Sequence, residues 1–431
     1  MRKRRIEGEV ILIIWGALAL FAVTAALASD AAGAGASGDS DRIAHSARGH
    51  RDAGVQLGAR PFYLVRGMDD GPLKSKLMRC ENGPFHRSDF SIAHRGAPLQ
   101  FPEHTQESYE AGARMGAGIV ECDVTFTKDG ELVCRHDECD LHTTTNVIAT
   151  ELNNACTVPY SGPGSSPRCC ASDLTLAQFR TLKGKMDASN PNAPDAAGFL
   201  GGTASWRTDL YTGRGTLLTL RESIALNRRL GVKHTPELKA GNPQRVAQVF
   251  GSQAAYAQKL IDELRRGGVQ PRDAWPQSFN LQDVLHWVRN EPRYGRQAVY
   301  LDDVDPGAGI PRLTAEELRE VRSQGVRIFA PPMPALLAVD GADEIVPSQY
   351  ALDIEAAGFD IITWTFERAD LRRGASSAGF YYAFDPNGRA VKKDSDMYEA
   401  LHVLAQDVNI LGIFSDWPAT VTYYANCMGL D

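Results

Sequence analysis

Apolar residues in this chain come in short runs separated by amphipathic stretches. Runs such as FSIA (90–93), IVECDVTF (119–126), VKHTPEL (232–238), VRIFA (326–330) and FDIITWTF (359–366) predict strands buried on both faces, because none shows the sustained alternation of a sheet with one side in water. Between them lie helical patterns, three of which start on a capping box: Thr175 with Gln178, Thr219 with Glu222 and Thr314 with Glu317. Gly231, Gly325 and Gly358 stop a helix just before the next apolar run. The repeated unit of helix, glycine and buried strand implies a parallel sheet covered by helices. Strands counted near residues 91, 120, 233, 275, 298, 327, 361 and 411 make eight, the one near 275 being poorly marked by composition.

Two segments stand outside this repeat. From about Cys139 to Leu217 the chain is rich in Asn, Ser, Pro and Gly and shows one short helix, beginning at Thr175. It reads as an insertion after the second strand, either a lid over the active site or a surface excursion held by disulfides. At the other extreme, Arg2 to Arg5 precede an apolar run from about Val10 to Ala26 and small residues up to Ser29. Residues 1–28 therefore read as a signal peptide, with an uncleaved membrane anchor as the alternative. Residues 29–60 offer little to bury and read as a disordered linker, leaving 61–431 as the folded domain.

The chemistry is concentrated between Ile92 and Asp137. His94 and Arg95 stand where an apolar run ends, as active-site residues of α/β proteins do. Glu121 and Asp123 are two apart in a strand, so they share a face while Cys122 takes the other. Two carboxylates side by side in an apolar strand repel each other and lose hydration unless a cation neutralises them. The turn Lys128 to Gly130 and a returning strand bring His136 and Asp137 back toward that pair.

HRG at 94–96, PEHT at 102–105, ECD at 121–123, DG at 129–130 and HD at 136–137 together resemble the ordered signature of the glycerophosphodiester phosphodiesterases, in the form typical of exported members. PELK (236–239), PQSFN (276–280), ITWTF (362–366) and GIFSDWP (412–418) extend the likeness over most of the chain after residue 88. The resemblance implies a TIM (β/α)8 barrel, in agreement with the strand count, with catalytic groups at the carboxyl ends of the strands. It also implies that Glu237 completes a metal site with Glu121 and Asp123, and that Lys239 and Arg95 meet the substrate phosphate. Three carboxylates without thiolate or imidazole suit one Ca²⁺ or Mg²⁺. His94 and His136 match the two family histidines and are expected to serve as general acid and base, in an order the sequence leaves open.

Glu103 is expected to orient His94 or Arg95. His104 stands where the motif commonly has Asn. Trp364 and Phe366, with Asp416 and Trp417, are expected at the barrel mouth, where the resemblance implies an aromatic wall for the glycerol moiety; Trp364 is the leading candidate. His142, His234 and His286 read as structural.

Eight cysteines without paired CxxC spacing in an exported chain, periplasmic or secreted, point to disulfides. Cys80 precedes the first strand and Cys427 follows the last, and these strands are neighbours in a closed barrel, so the two are expected to pair. Cys122 and Cys134 lie inside strands and read as buried thiols. A net charge of −7 without a basic cluster beyond the export signal argues against nucleic-acid partners. The expected function is metal-dependent hydrolysis of small glycerophosphodiesters to sn-glycerol 3-phosphate and an alcohol. The alternatives are a phospholipase D-like action on lysophospholipids or a noncatalytic barrel, and membrane contact is expected only through an uncleaved anchor.

Overall fold

A computed structural model describes residues 54–431. The expected signal or anchor segment and most of the expected linker lie outside the described residues. The last residues assigned to the linker pack on the domain: Leu57 is buried in the main core and a helix begins at Arg60 (Arg60–Gly67).

Eight strands run parallel and close on themselves: β1 (Ser88–Ala93), β2 (Ala117–Phe126), β4 (Lys233–Leu238), β5 (Gln277–Ser278), β6 (Val299–Leu301), β7 (Ile328–Ala330), β10 (Asp360–Phe366) and β11 (Gly412–Ser415). β1 pairs with β2 on one side and β11 on the other, which closes the TIM barrel. A short strand, β3 (Leu132–Cys134), pairs antiparallel with β2, and β8 (Leu337–Val339) and β9 (Ile345–Pro347) form a hairpin outside the barrel. All eight expected strands are present. The strand near 275 is the shortest because Pro276, which has no N–H to give a ladder, stands just before it.

The three expected capping boxes form, at Thr175, Thr219 and Thr314. Gly231 ends the helix Leu220–Leu230 in the left-handed conformation, φ 70°. The barrel interior holds a small apolar layer of Ile92, Ile119, Leu301, Ile328, Ile362 and Phe414, while the larger core lies between sheet and helices. Charged residues therefore occupy the carboxyl end of the barrel above an apolar floor.

The insertion has an apolar centre of its own, including Leu141, Val147, Phe179, Leu182 and Phe199. Cys139–Cys170 and Cys156–Cys169 tie it together. The expected Cys80–Cys427 bridge is present and staples the end of the helix Pro72–Arg79 to the helix Pro418–Met428. Cys122 and Cys134, expected as thiols, are instead bonded to each other. The β2–β3 hairpin brings their Cα atoms to 5.3 Å, a proximity set by strand register and invisible in their spacing along the chain.

Candidate active site

β2 and β4 are adjacent, and their register sets Asp123 opposite Glu237 and Glu121 opposite Thr235. Glu121, Asp123 and Glu237 are buried, and each offers an oxygen within 4.8 Å of the others. Burial, then the nearby Asp123 and Glu237, pushes the Glu121 carboxyl well above its usual range. Burial likewise lifts Glu237 to about 7, although Lys239 opposes it. Asp123 stays well below the usual range because His104 and Lys239 outweigh its burial. Asp123 Oδ1 and Glu237 Oε1 are buried with no aligned hydrogen-bond donor. Three crowded carboxylates, two of which resist ionisation and one of which leaves an oxygen, Asp123 Oδ1, without a donor, fit a hard divalent cation, which would supply the missing positive charge.

His94, Arg95 and Gly96 form the turn that ends β1. Arg95 takes a left-handed backbone, φ 53°, and its N–H donates to Glu121 Oε2 at 3.0 Å. Gly96 is required next to it, since its φ is 99° and a Cβ there would collide with Ser108. The Arg95 side chain donates from Nη1 to Glu103 Oε2 at 2.9 Å and approaches Asp123 Oδ2 at 3.3 Å. Glu103 thus orients Arg95 and not His94. Lys239 Nζ stands 2.6 Å from Glu237 Oε1 and 5.4 Å from the centre of the Phe279 ring. His136 follows β3, and its imidazole has no hydrogen-bond partner among the described residues. Burial, with Arg95 next, lowers both histidines, His94 to about 4 and His136 well below its ordinary value.

His94, Arg95, Glu121, His136, Glu237 and Lys239 all line one cavity of about 320 Å³. Phe279, Trp364 and Tyr381 also line it. Phe366 and Trp417, expected at the mouth, pack in the core between sheet and helices. The β10–β11 register shifts between Thr363 and Phe366, so spacing by two no longer keeps Trp364 and Phe366 on one face. Asp137 accepts from the Cys139 N–H at 2.7 Å in a turn, and Asp129 from the Leu176 N–H at 2.9 Å. His142, His234 and His286 lie outside the cavity lining.

Four contributors lie beyond what the sequence reading assigns: Arg368 and Gln277 are not singled out by it, and Asp416 and His104 are noted without the partners they have here. Asp416 Oδ1 lies 2.5 Å from His94 Nδ1, and Arg368, unremarkable in its local sequence, binds Asp416 Oδ2 at 2.9 Å. His104 Nε2 holds Asp123 Oδ2 at 2.8 Å while its Nδ1 meets the Tyr109 hydroxyl at 2.9 Å. Gln277 donates to Glu121 Oε1 at 2.9 Å. Only the signature segments PEHT, PQSFN and GIFSDWP hinted at His104, Gln277 and Asp416.

The family model of the glycerophosphoryl diester phosphodiesterases matches residues 94–419. The chain belongs to that family. It is accordingly a phosphoric diester hydrolase with a TIM barrel. A relative from Arthroderma benhamiae, named only as an extracellular protein, is 41% identical over 57% of this chain and 100% of its own length. A glycerophosphodiester phosphodiesterase of Arabidopsis thaliana is 28% identical over 49% of this chain and 51% of its own, and other curated relatives are matched over smaller shares of their length. A crystal structure from Silicibacter pomeroyi DSS-3, provisionally assigned to the same activity, covers 81% of this chain and 96% of its own at 18% identity, with a TM-score of 0.53.

Proposed function

We propose that this enzyme hydrolyses glycerophosphodiesters such as glycerophosphocholine to sn-glycerol 3-phosphate and an alcohol, with one divalent cation and two histidines. The observation that carries this reading is that His94 and His136 line one cavity with Glu121 and Glu237, two members of the carboxylate cluster that Asp123 completes. A Ca²⁺ or Mg²⁺ ion held by Glu121, Asp123 and Glu237 would offset charge on the phosphodiester. Arg95 and Lys239 add fixed positive charge beside it, in a buried setting where such charge acts strongly.

With Nδ1 turned to Asp416, His94 presents Nε2 to the cavity, 3.8 Å from Glu121 Oε2. That nitrogen takes a proton from the water that attacks phosphorus, and Asp416 stabilises the imidazolium that results. His136, without a hydrogen-bond partner among the described residues, gives a proton to the departing alkoxide; the bound phosphate anion favours its protonated form. Trp364, Phe279 and Tyr381 pack against the organic part of the substrate.

A lysophospholipid substrate is the second reading, and one observation favours it. A mostly apolar groove of about 810 Å³, lined by Val304, Pro334, Leu337, Phe380 and Phe384, opens on the loops after β6, β7 and β10. Phe380 stacks on Trp364 with ring centres 6.3 Å apart, so one aromatic layer separates groove and cavity.

The deciding experiment follows products from glycerophosphocholine and lysophosphatidylcholine with and without EDTA. Metal-dependent release of glycerol 3-phosphate from the first is expected. Preference for the lipid promotes the second reading, and no metal-dependent turnover of either overturns both. Export also belongs to this proposal: four disulfides take up every cysteine, and the Arthroderma relative is named as extracellular.

A further inference from the structure

No residue of the insertion lines the catalytic cavity, yet the insertion is linked to His94 by charge. Arg368, in the loop after β10, places Nη1 on Asp416 Oδ2 at 2.9 Å and Nη2 at 3.2 Å from Asp187 Oδ2. Asp187 belongs to the insertion, and its Oδ1 accepts from Arg207 Nη2 at 2.6 Å. The same Arg207 nitrogen bonds the carbonyl of Pro98, in the segment that leaves His94. The path from His94 through Asp416, Arg368, Asp187 and Arg207 to Pro98 therefore returns to the β1 loop from which it started. Carboxylate and guanidinium alternate along it. The side chains of Arg368, Asp187 and Arg207 are only 20%, 16% and 10% exposed, which separates them from the solvated surface pairs that contribute little.

We propose that Asp187 is a positioning residue for His94, making the insertion part of the catalytic apparatus and not a separable excursion. The proposal rests on the reading of His94 as a catalytic group. Arg368 also lines the cavity, so a phosphodiester anion competes with Asp416 for its guanidinium. Asp187 holds the other end of that guanidinium and keeps Nη1 on Asp416. Asp416 is then fixed at both oxygens, Oδ2 by Arg368 and Oδ1 by His94 Nδ1, and Nε2 stays aimed at the reacting atoms. With Asp187 neutralised, Arg368 and Arg207 are left as neighbouring like charges, Arg368 turns toward the cavity, and Asp416 is free to rotate off Nδ1.

The test uses the full chain with its divalent cation and compares wild type with Asp187→Asn and Asp187→Glu. Asp187→Asn is expected to lower kcat roughly 10- to 100-fold, as loss of a group supporting active-site ligands does, with KM little changed. Asp187→Glu, which keeps the charge, should restore most of the loss. A second readout is the low-field proton resonance of the His94 Nδ1–H, assigned by its disappearance in His94→Ala. It should broaden or move upfield in Asp187→Asn and return in Asp187→Glu. Wild-type kcat in folded Asp187→Asn, or a fall in kcat with the resonance unmoved, overturns the proposal. A wild-type enzyme that does not turn over glycerophosphodiesters defeats the functional reading instead, and the resonance still decides whether Asp187 positions His94.

Discussion

Asp123 and Glu237 are register partners on neighbouring parallel strands, β2 and β4, although the whole insertion separates them in the chain. Their pairing converts the same-face pair Glu121 and Asp123 into a three-carboxylate cluster. Lys239, on the same strand end as Glu237, forms an ion pair with that carboxylate, and it leaves Asp123 Oδ1 without a donor.

The cluster should burden the metal-free fold in a pH-dependent way. Glu237 sits at about 7 in the fold against an ordinary 4.5, so the folded chain holds this proton more tightly than the unfolded chain. Stability from this group is complete below about pH 4.5 and is lost as pH rises toward 7. In chelator, the melting temperature of Glu237→Gln relative to wild type should therefore increase from pH 5 to pH 8, by the equivalent of up to roughly 3 kcal/mol. Excess Ca²⁺ or Mg²⁺ should reverse the order, because only wild type gains the full binding energy. A difference independent of pH would mean that Glu237 is not crowded by its neighbours.

His94→Ala and His136→Ala should each lower kcat by about 10²- to 10⁴-fold, the usual weight of general acid–base catalysis. Cation affinity measured by calorimetry should hold in both, and its loss would show that the histidines are ligands. Because burial beside Arg95 brings His94 down to about 4, it is neutral and able to accept a proton well below pH 6.5. The acidic limb of kcat/KM should accordingly lie closer to pH 4 than to pH 6.5.

Trp364 and Phe366 should part company when each is replaced by alanine. Trp364→Ala removes a cavity wall and should reduce kcat/KM about tenfold, mainly through KM. Phe366→Ala empties a fully buried core position and should cost about 3–5 kcal/mol of stability, with kcat/KM per folded molecule preserved. Urea titration alongside steady-state kinetics separates the two.

Peptide mapping without reduction should recover Cys80–Cys427, Cys122–Cys134, Cys139–Cys170 and Cys156–Cys169 with no free thiol. Cys427→Ser opens a loop that spans nearly the whole domain, a sequence separation of 347, and should lower stability by about 6 kcal/mol on the chain-entropy account. Free thiols at Cys122 and Cys134 would restore the reading of these two as buried apolar groups.

Local chemistry was legible in the sequence because its causes are local. Capping boxes join residues three apart, a strand's period of two sets Glu121 and Asp123 on one face, and a glycine in the left-handed conformation, such as Gly231, ends a helix at its own position. From these came the eight strands, the helix starts and the demand for a cation, and the ordered motifs named His94, Arg95, His136, Glu237 and Lys239. The same period misled at Phe366, where a register shift in β10 turned the side chain into the core.

What the tertiary structure alone decided depends on which strand ends meet. Asp416 reaches His94 because β11 and β1 are neighbours across the barrel closure. Arg368 and Asp187 come to that pair from a loop and an insertion with no sequence relation to each other. Cys122 finds Cys134 through a hairpin register, and His104 finds Asp123 through the loop between β1 and the helix Gln106–Arg114. Residue types and short spacings determine which groups need a partner, whereas barrel closure determines which partner arrives. Long-range register and loop convergence leave no periodic trace along the chain.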